Sequence, residues 1–172
     1  MIPGKKAIFF DRDGVLNEDD GYVHDMAHLR WVEGAKEAIA ALTQAGWLLF
    51  VVTNQSGVAR GYYSEEDVKK LHEEMNQEFQ RRGGHITEFF YCPHLPGAPV
   101  KAYDCICHCR KPEPGMILHA LEKYHIAKEN AFLFGDGKRD VEAAHRAGIQ
   151  GFLYTGGNLK QFIQEKLLSS AH

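Results

Sequence analysis

Short apolar or aromatic runs alternate along this chain with longer stretches whose apolar residues recur every third or fourth position. The runs Ala7–Phe10, Trp47–Val52, Ile86–Tyr91, Ala131–Phe134 and Gly151–Tyr154 predict five strands. Between them, Glu33–Ala45 places Ala35, Ala38, Ile39 and Leu42 on one helical face, and Gly46 stops it. Ser64 with Asp67 resembles a capping box, with Asp in place of the usual Glu or Gln. The helix it opens runs to about Arg82, where Gly83-Gly84 ends it. Gly115–Tyr124, Arg139–Ala147 and Leu159–Leu168 read as further helices, the second closed by Gly148. No internal repeat, low-complexity tract or linker breaks the pattern.

Strand–helix alternation with apolar strands predicts an α/β fold: a doubly wound, Rossmann-like parallel sheet with helices on both faces. Ligands of such sheets bind at the carboxyl ends of the strands. The residues just after each strand are therefore the place to look for chemistry.

Composition narrows the possibilities. A length of 172 residues predicts a single domain over 1–172. The 44% hydrophobic and 25% charged content excludes a disordered or collagen-like chain. A net charge of −3 without a dense Lys/Arg stripe argues against nucleic acid or an anionic membrane as partner, including a zinc-loop nucleic-acid-binding domain. No apolar run approaches the roughly 18 residues of a membrane span. The apolar stretch after Lys5 and Lys6 is too short for a signal peptide, so a cytoplasmic monomer is expected. All 4 cysteines lie between Cys92 and Cys109, and clustered cysteines in the cytosol point to metal before disulfide.

The first strand runs into Asp11-Arg12-Asp13-Gly14-Val15. Two carboxylates one residue apart can hold a hard cation such as Mg²⁺. One can also serve as nucleophile while the other moves a proton. Thr53-Asn54-Gln55-Ser56-Gly57 follows the second strand and offers a hydroxyl and backbone amides to a phosphate oxygen. Arg110-Lys111-Pro112 precedes a helix, and Lys111 can neutralise phosphate charge. Gly135-Asp136 follows the fourth strand, with Asp140 four residues on; Asp136 can complete a metal site with Asp11 or cap a helix.

A second constellation is Cys92-Pro93-His94 followed by Cys105-Ile106-Cys107-His108-Cys109. Two ligand pairs separated by a loop suit a structural zinc ion. In an extended segment Cys105, Cys107 and Cys109 point to one side, so three thiols compete for two places.

Together these segments resemble the four signatures of the haloacid dehalogenase (HAD) superfamily. Ile8-Phe9-Phe10-Asp11-Arg12-Asp13-Gly14-Val15 is similar to the first, Thr53 to the second, Lys111 to the third, and Gly135-Asp136 with Asp140 to the fourth. The match spans about Ala7 to Ala147. The resemblance implies that Asp11 attacks phosphorus, that Asp13 protonates the leaving alcohol and then activates water, and that Thr53 and Lys111 bind the transferred phosphoryl group. It places Mg²⁺ on Asp11, the Asp13 carbonyl and Asp136. Cys-Pro-His followed by Cys-x-Cys-Arg-Lys-Pro is similar to the capless, zinc-containing group of that superfamily. There zinc would take Cys92, His94, Cys107 and Cys109, leaving Cys105 and His108 outside. The spacing leaves no room for a cap domain.

The resemblance further implies a small phosphorylated substrate. Heptose 1,7-bisphosphate cut at its 7-phosphate is expected, with histidinol phosphate as the alternative. Asp19, Asp20, Gly21 and Tyr22 would form a substrate loop. Asn54, Gln55 and Ser56 would line the site, and Arg110 would meet the second phosphate. One departure stands out. Where the group carries a lysine directly after Gly-Asp, this chain has Gly137, and Lys138 is expected to act from one residue further on.

Overall fold

In the computed structural model, which describes residues 4–170, five parallel strands form one sheet in the order β3-β2-β1-β4-β5. They are β1 (Ala7–Phe10), β2 (Leu48–Asn54), β3 (Glu88–Cys92), β4 (Ala131–Gly135) and β5 (Gln150–Leu153). Five α-helices connect and flank them: α1 (Ala35–Gln44), α2 (Glu65–Arg81), α3 (Gly115–Lys123), α4 (Lys138–Ala147) and α5 (Leu159–Ser170). All five expected strands and all five expected helices are present.

Apolar strands are needed because both faces of the sheet are covered. Successive side chains of a strand point to opposite faces. Ile8, Phe10, Leu49 and Val51 pack with residues of α1, α2 and α5. Ala7, Phe9, Phe50 and Val52 pack with residues of α3 and α4. Each fully buried aliphatic or aromatic side chain contributes about 1.5–3 kcal/mol relative to exposure. The two layers together clamp the sheet.

Two strand limits differ from expectation by two residues, each for a local reason, and the others by one at most. β2 runs on through Thr53 and Asn54, which still pair with Tyr91 and Cys92 of β3. β3 starts at Glu88 rather than Ile86, because the Asn76 side chain occupies both polar groups of the Ile86 backbone. Ile86 is therefore satisfied outside the ladder. The capping box is present: Ser64 accepts from the Asp67 amide, and Asp67 accepts from the Ser64 amide.

The chain moves from β1 outward to β2 and β3, then returns to β4 on the other side of β1. That reversal opens a crevice at the carboxyl ends of β1, β2 and β4. Two long connections rim it. Residues 11–34 carry one 3-10 turn, Met26–His28, and residues 93–114 carry another, Lys101–Tyr103. Neither contains a cap domain. Among the described residues, no helix is long and apolar enough to cross a membrane.

Candidate active site

A cleft of about 360 Å³ lies at the switch point, lined by residues that follow β1, β2, β3 and β4. Asp11 sits at its floor, just past β1, with its own amide bonded to the Phe134 carbonyl of β4. Its Oδ1 accepts the Arg12 amide at 2.8 Å and lies 3.0 Å from Lys111 Nζ. Oδ1 is thus engaged by two donors.

Lys111 is only 3% exposed and reaches the site from the far end of the cysteine loop. Its Nζ donates to Asp140 Oδ1 at 2.5 Å and to the Val52 carbonyl at 2.8 Å. Its backbone is clamped by Asn54, whose amide both accepts from Lys111 N and donates to Lys111 O. Burial works against the ammonium, but Asp11 and Asp140 hold its pKa above the ordinary lysine value. Burial pushes the Asp11 carboxyl up to about 8 against the pull of Lys111, and Asp140 adds to the rise.

Carboxylate oxygens of Asp11, Asp136 and Asp140 lie within 4.8 Å of one another. Three carboxylates share one ammonium, so the cluster carries excess negative charge that suits a divalent cation. Asp140 is spent on Lys111 and on the Gly137 amide, leaving Asp11 and Asp136 as the available ligands. The approach is close enough to dictate two glycines. A Cβ on Gly14, which has φ +89°, would lie 2.0 Å from Asp136 Oδ2. One on Gly135 would lie 2.2 Å from Asp140 Cβ.

Asp13 faces the same cleft. Its Oδ1 accepts from Arg12 Nε, Arg12 Nη2 and Asn17 Nδ2, and its Oδ2 accepts from Gln55 Nε2 at 3.1 Å. Gln55 also donates to Thr53 Oγ1 at 2.9 Å and accepts from the Tyr63 hydroxyl at 2.6 Å. Because Thr53 accepts that bond, its own O–H is free to donate to a ligand oxygen.

Asp19, Gly21, Tyr22, Asn54, Ser56 and Arg110 line the cleft, as does Gln55. Tyr22, at φ +53°, packs edge-on against Tyr62 at 4.9 Å. Two expected residues are elsewhere. Asp20 turns outward into a bidentate pair with Arg30, at 2.8 and 2.5 Å, and borders a neighbouring depression. Lys138 opens α4 on its outer side, beside Val141, Glu142 and His145. One residue along a helix is a rotation of about 100°, so it is Arg139 that lines the cleft. Arg60 also lines it, with its guanidinium 5.7 Å from the Tyr22 ring. Neither arginine belongs to the motifs named above, although Arg60 lies in the segment that directly follows β2.

The cysteine loop forms a separate cluster beside the cleft. Sγ atoms of Cys92, Cys107 and Cys109 and Nδ1 of His94 all lie within 4.8 Å of one another. Cys107 Sγ is 3.5 Å from both other sulfurs, and His94 Nδ1 is 3.6 and 3.4 Å from Cys92 and Cys109. Four ligands about 2.0–2.3 Å from a tetrahedral zinc ion would have separations of this order. Cys92 and Cys109 lie 2.7 Å apart as free thiols, longer than a disulfide bond. Hydrogen bonds from Cys92 and His94 bring the Cys109 thiol down to about 5, while Cys109 and burial push Cys92 up. The donor set fits a structural zinc ion. Cys105 is exposed and outside the group. The loop feeds directly into Arg110 and Lys111, and Arg110 Nη1 donates to the His94 carbonyl at 3.4 Å.

Residues 108–169 match the family model Hydrolase_like, described as HAD-hydrolase-like. The D-glycero-beta-D-manno-heptose-1,7-bisphosphate 7-phosphatase of Rhodopseudomonas palustris is 43% identical, covering 96% of this chain and 92% of its own length. Its counterpart from Vibrio cholerae is 45% identical, over 84% of this chain and 78% of its own. The crystal structure of D,D-heptose 1,7-bisphosphate phosphatase from B. bronchiseptica, complexed with magnesium and phosphate, superposes with a TM-score of 0.79 at 35% identity, covering 93% of this chain and 86% of that one. On this cleft, this sheet and these relatives, the chain belongs to the HAD-like hydrolases, in the family of the heptose-1,7-bisphosphate 7-phosphatases.

Proposed function

We propose that the protein is a Mg²⁺-dependent phosphatase that removes the 7-phosphate of D-glycero-D-manno-heptose 1,7-bisphosphate through an aspartyl-phosphate. The observation that carries this reading is the convergence of Asp11, Asp13 and Asp136 on one cleft, with Lys111 buried against Asp11, in a chain 43% identical to a named heptose bisphosphatase.

Phosphoryl transfer needs positioning and charge neutralisation more than covalent ingenuity. The Thr53 hydroxyl holds a phosphoryl oxygen, and Lys111, buried against Asp11, supplies positive charge to the site. Asp11 Oδ2 attacks phosphorus, and the bond to the sugar oxygen breaks. Asp13, protonated at Oδ2, gives its proton to that leaving oxygen, because an alkoxide is too basic to depart unaided. Asp13 then takes a proton from water as the water attacks phosphorus, releasing phosphate and restoring Asp11. Asp11, Asp136 and the Asp13 backbone carbonyl would hold Mg²⁺, which supplies positive charge to the phosphoryl oxygens. Cys92, His94, Cys107 and Cys109 would hold zinc, and with no open position its task is structural.

The lining of the cleft favours a bisphosphate. Arg60, Arg110 and Arg139 are among its residues, and their guanidinium groups suit a second phosphate. Histidinol phosphate carries an ammonium in the corresponding part of the molecule, which those groups repel. The 4 free cysteines suit a reducing compartment, and we assign the enzyme to the cytoplasm.

The test is phosphate release with Mg²⁺ from heptose 1,7-bisphosphate in both anomers, fructose 1,6-bisphosphate and histidinol phosphate. The expected outcome is a clear preference in kcat/KM for a heptose bisphosphate. Preference for histidinol phosphate would overturn the substrate and keep the chemistry.

A further inference from the structure

Arg12 stands between the two cleft carboxylates, yet no step of the reaction uses it. Its side chain is 1% exposed. Nε and Nη2 both donate to Asp13 Oδ1, at 3.1 and 2.9 Å. Nη2 also donates to the Val23 carbonyl at 2.6 Å, at the end of the loop that carries Asp19, Gly21 and Tyr22. Nη1 lies 3.1 Å from Nε2 of His72, a residue of α2 that is 4% exposed. A guanidinium can only donate. His72 Nε2 is therefore the acceptor, and the ring proton sits on Nδ1. The imidazole is held flat against Phe89, with centroids 4.6 Å apart.

We propose that Arg12 and His72 are positioning residues for the acid/base carboxylate. Arg12 anchors Asp13 Oδ1 and the cleft loop at Val23, and His72 anchors Arg12 from α2. This inference rests on the phosphatase reading above. Oδ1 already accepts three donors, including Asn17 Nδ2, whereas Oδ2 accepts only from Gln55. The proton-carrying oxygen is thereby aimed at the cleft. His72 is the one partner in this set that reaches Arg12 from a helix packed on the sheet. A neutral nitrogen there fixes the guanidinium plane without drawing its charge away from Asp13.

The experiment compares His72→Phe, which keeps the shape and removes the acceptor, with His72→Gln, which keeps an acceptor. His72→Leu replaces the first variant should it not fold. For each, the single-turnover rate of protein phosphorylation is measured with a heptose bisphosphate and with 4-nitrophenyl phosphate. The nitrophenolate leaves without a proton, so that rate does not depend on Asp13 as acid. Expected for His72→Phe is a loss on the order of 10- to 100-fold on the sugar ester, with the aryl rate and the sugar KM retained. His72→Gln should restore the sugar rate. Wild-type rates on both esters, or an equal loss on both, would overturn the proposal. Asp11→Asn run alongside separates the two claims: turnover by that variant would sink the phosphatase mechanism itself.

Discussion

At the scale of single residues, the cleft is organised by side chains whose hydrogen-bonding capacity is filled from the rear. Arg12 uses Nε, Nη1 and Nη2, and Lys111 meets two carboxylates and a carbonyl. His72 makes this measurable through pH. Burial, and then the neighbouring Arg12 charge, hold its pKa well below 6.5. The folded imidazole is therefore neutral where the unfolded one begins to take up a proton. The stability it contributes is complete above about pH 6.5 and declines as pH falls toward the folded pKa. Each pH unit in that window costs up to about 1.4 kcal/mol. Thermal melts between pH 7 and 5 should therefore fall more steeply for the wild type than for His72→Gln; parallel slopes would contradict this. Residues on this scale differed in legibility. Asp11 and Asp136 announce themselves because they directly follow strands, and Asp13 because it lies two residues beyond Asp11. Lys138 and Arg139 could not be told apart, since the start of α4 sets which of two adjacent cations faces the cleft. Arg12 and His72 meet across 60 positions, and no spacing rule links them.

At the scale of elements, apolar runs located every strand, but their ends depended on partners. Thr53 and Asn54 belong to β2 because β3 pairs alongside them, and Ile86 leaves β3 because Asn76 claims its backbone. The cysteine loop is the element whose conformation matters most for the cleft. It presents Arg110 and Lys111, and Gly115 packs so closely against it that a Cβ there would lie 2.2 Å from the His108 carbonyl. A second brace does not involve the cysteines. Glu65, in the first turn of α2, accepts hydrogen bonds from Tyr91 of β3 and Tyr103 of the loop, both at 2.7 Å. Removing the proposed zinc ion with a chelator should therefore loosen the rim without unfolding the sheet. Turnover is expected to fall severalfold while the circular dichroism of helices and strands persists. An unchanged rate in protein verified as zinc-free would contradict a bracing role for the metal.

At the scale of the whole molecule, the fold and the chemistry share one cause. A sheet buried on both faces requires apolar strands, and reversal of strand order at β1 gathers their polar endings into one crevice. Asp11 lies at the centre because β1 is the central strand, flanked by β2 and β4. The most direct test of its role is to look for phosphate on the protein. Enzyme mixed with heptose 1,7-bisphosphate and Mg²⁺ is acid-quenched within one turnover, reduced with borohydride and mapped by mass spectrometry. The expected result is conversion of Asp11, and no other aspartate, to homoserine, the product of a reduced aspartyl-phosphate. Full turnover with Asp11 unmodified, or a modified residue elsewhere, would contradict the mechanism.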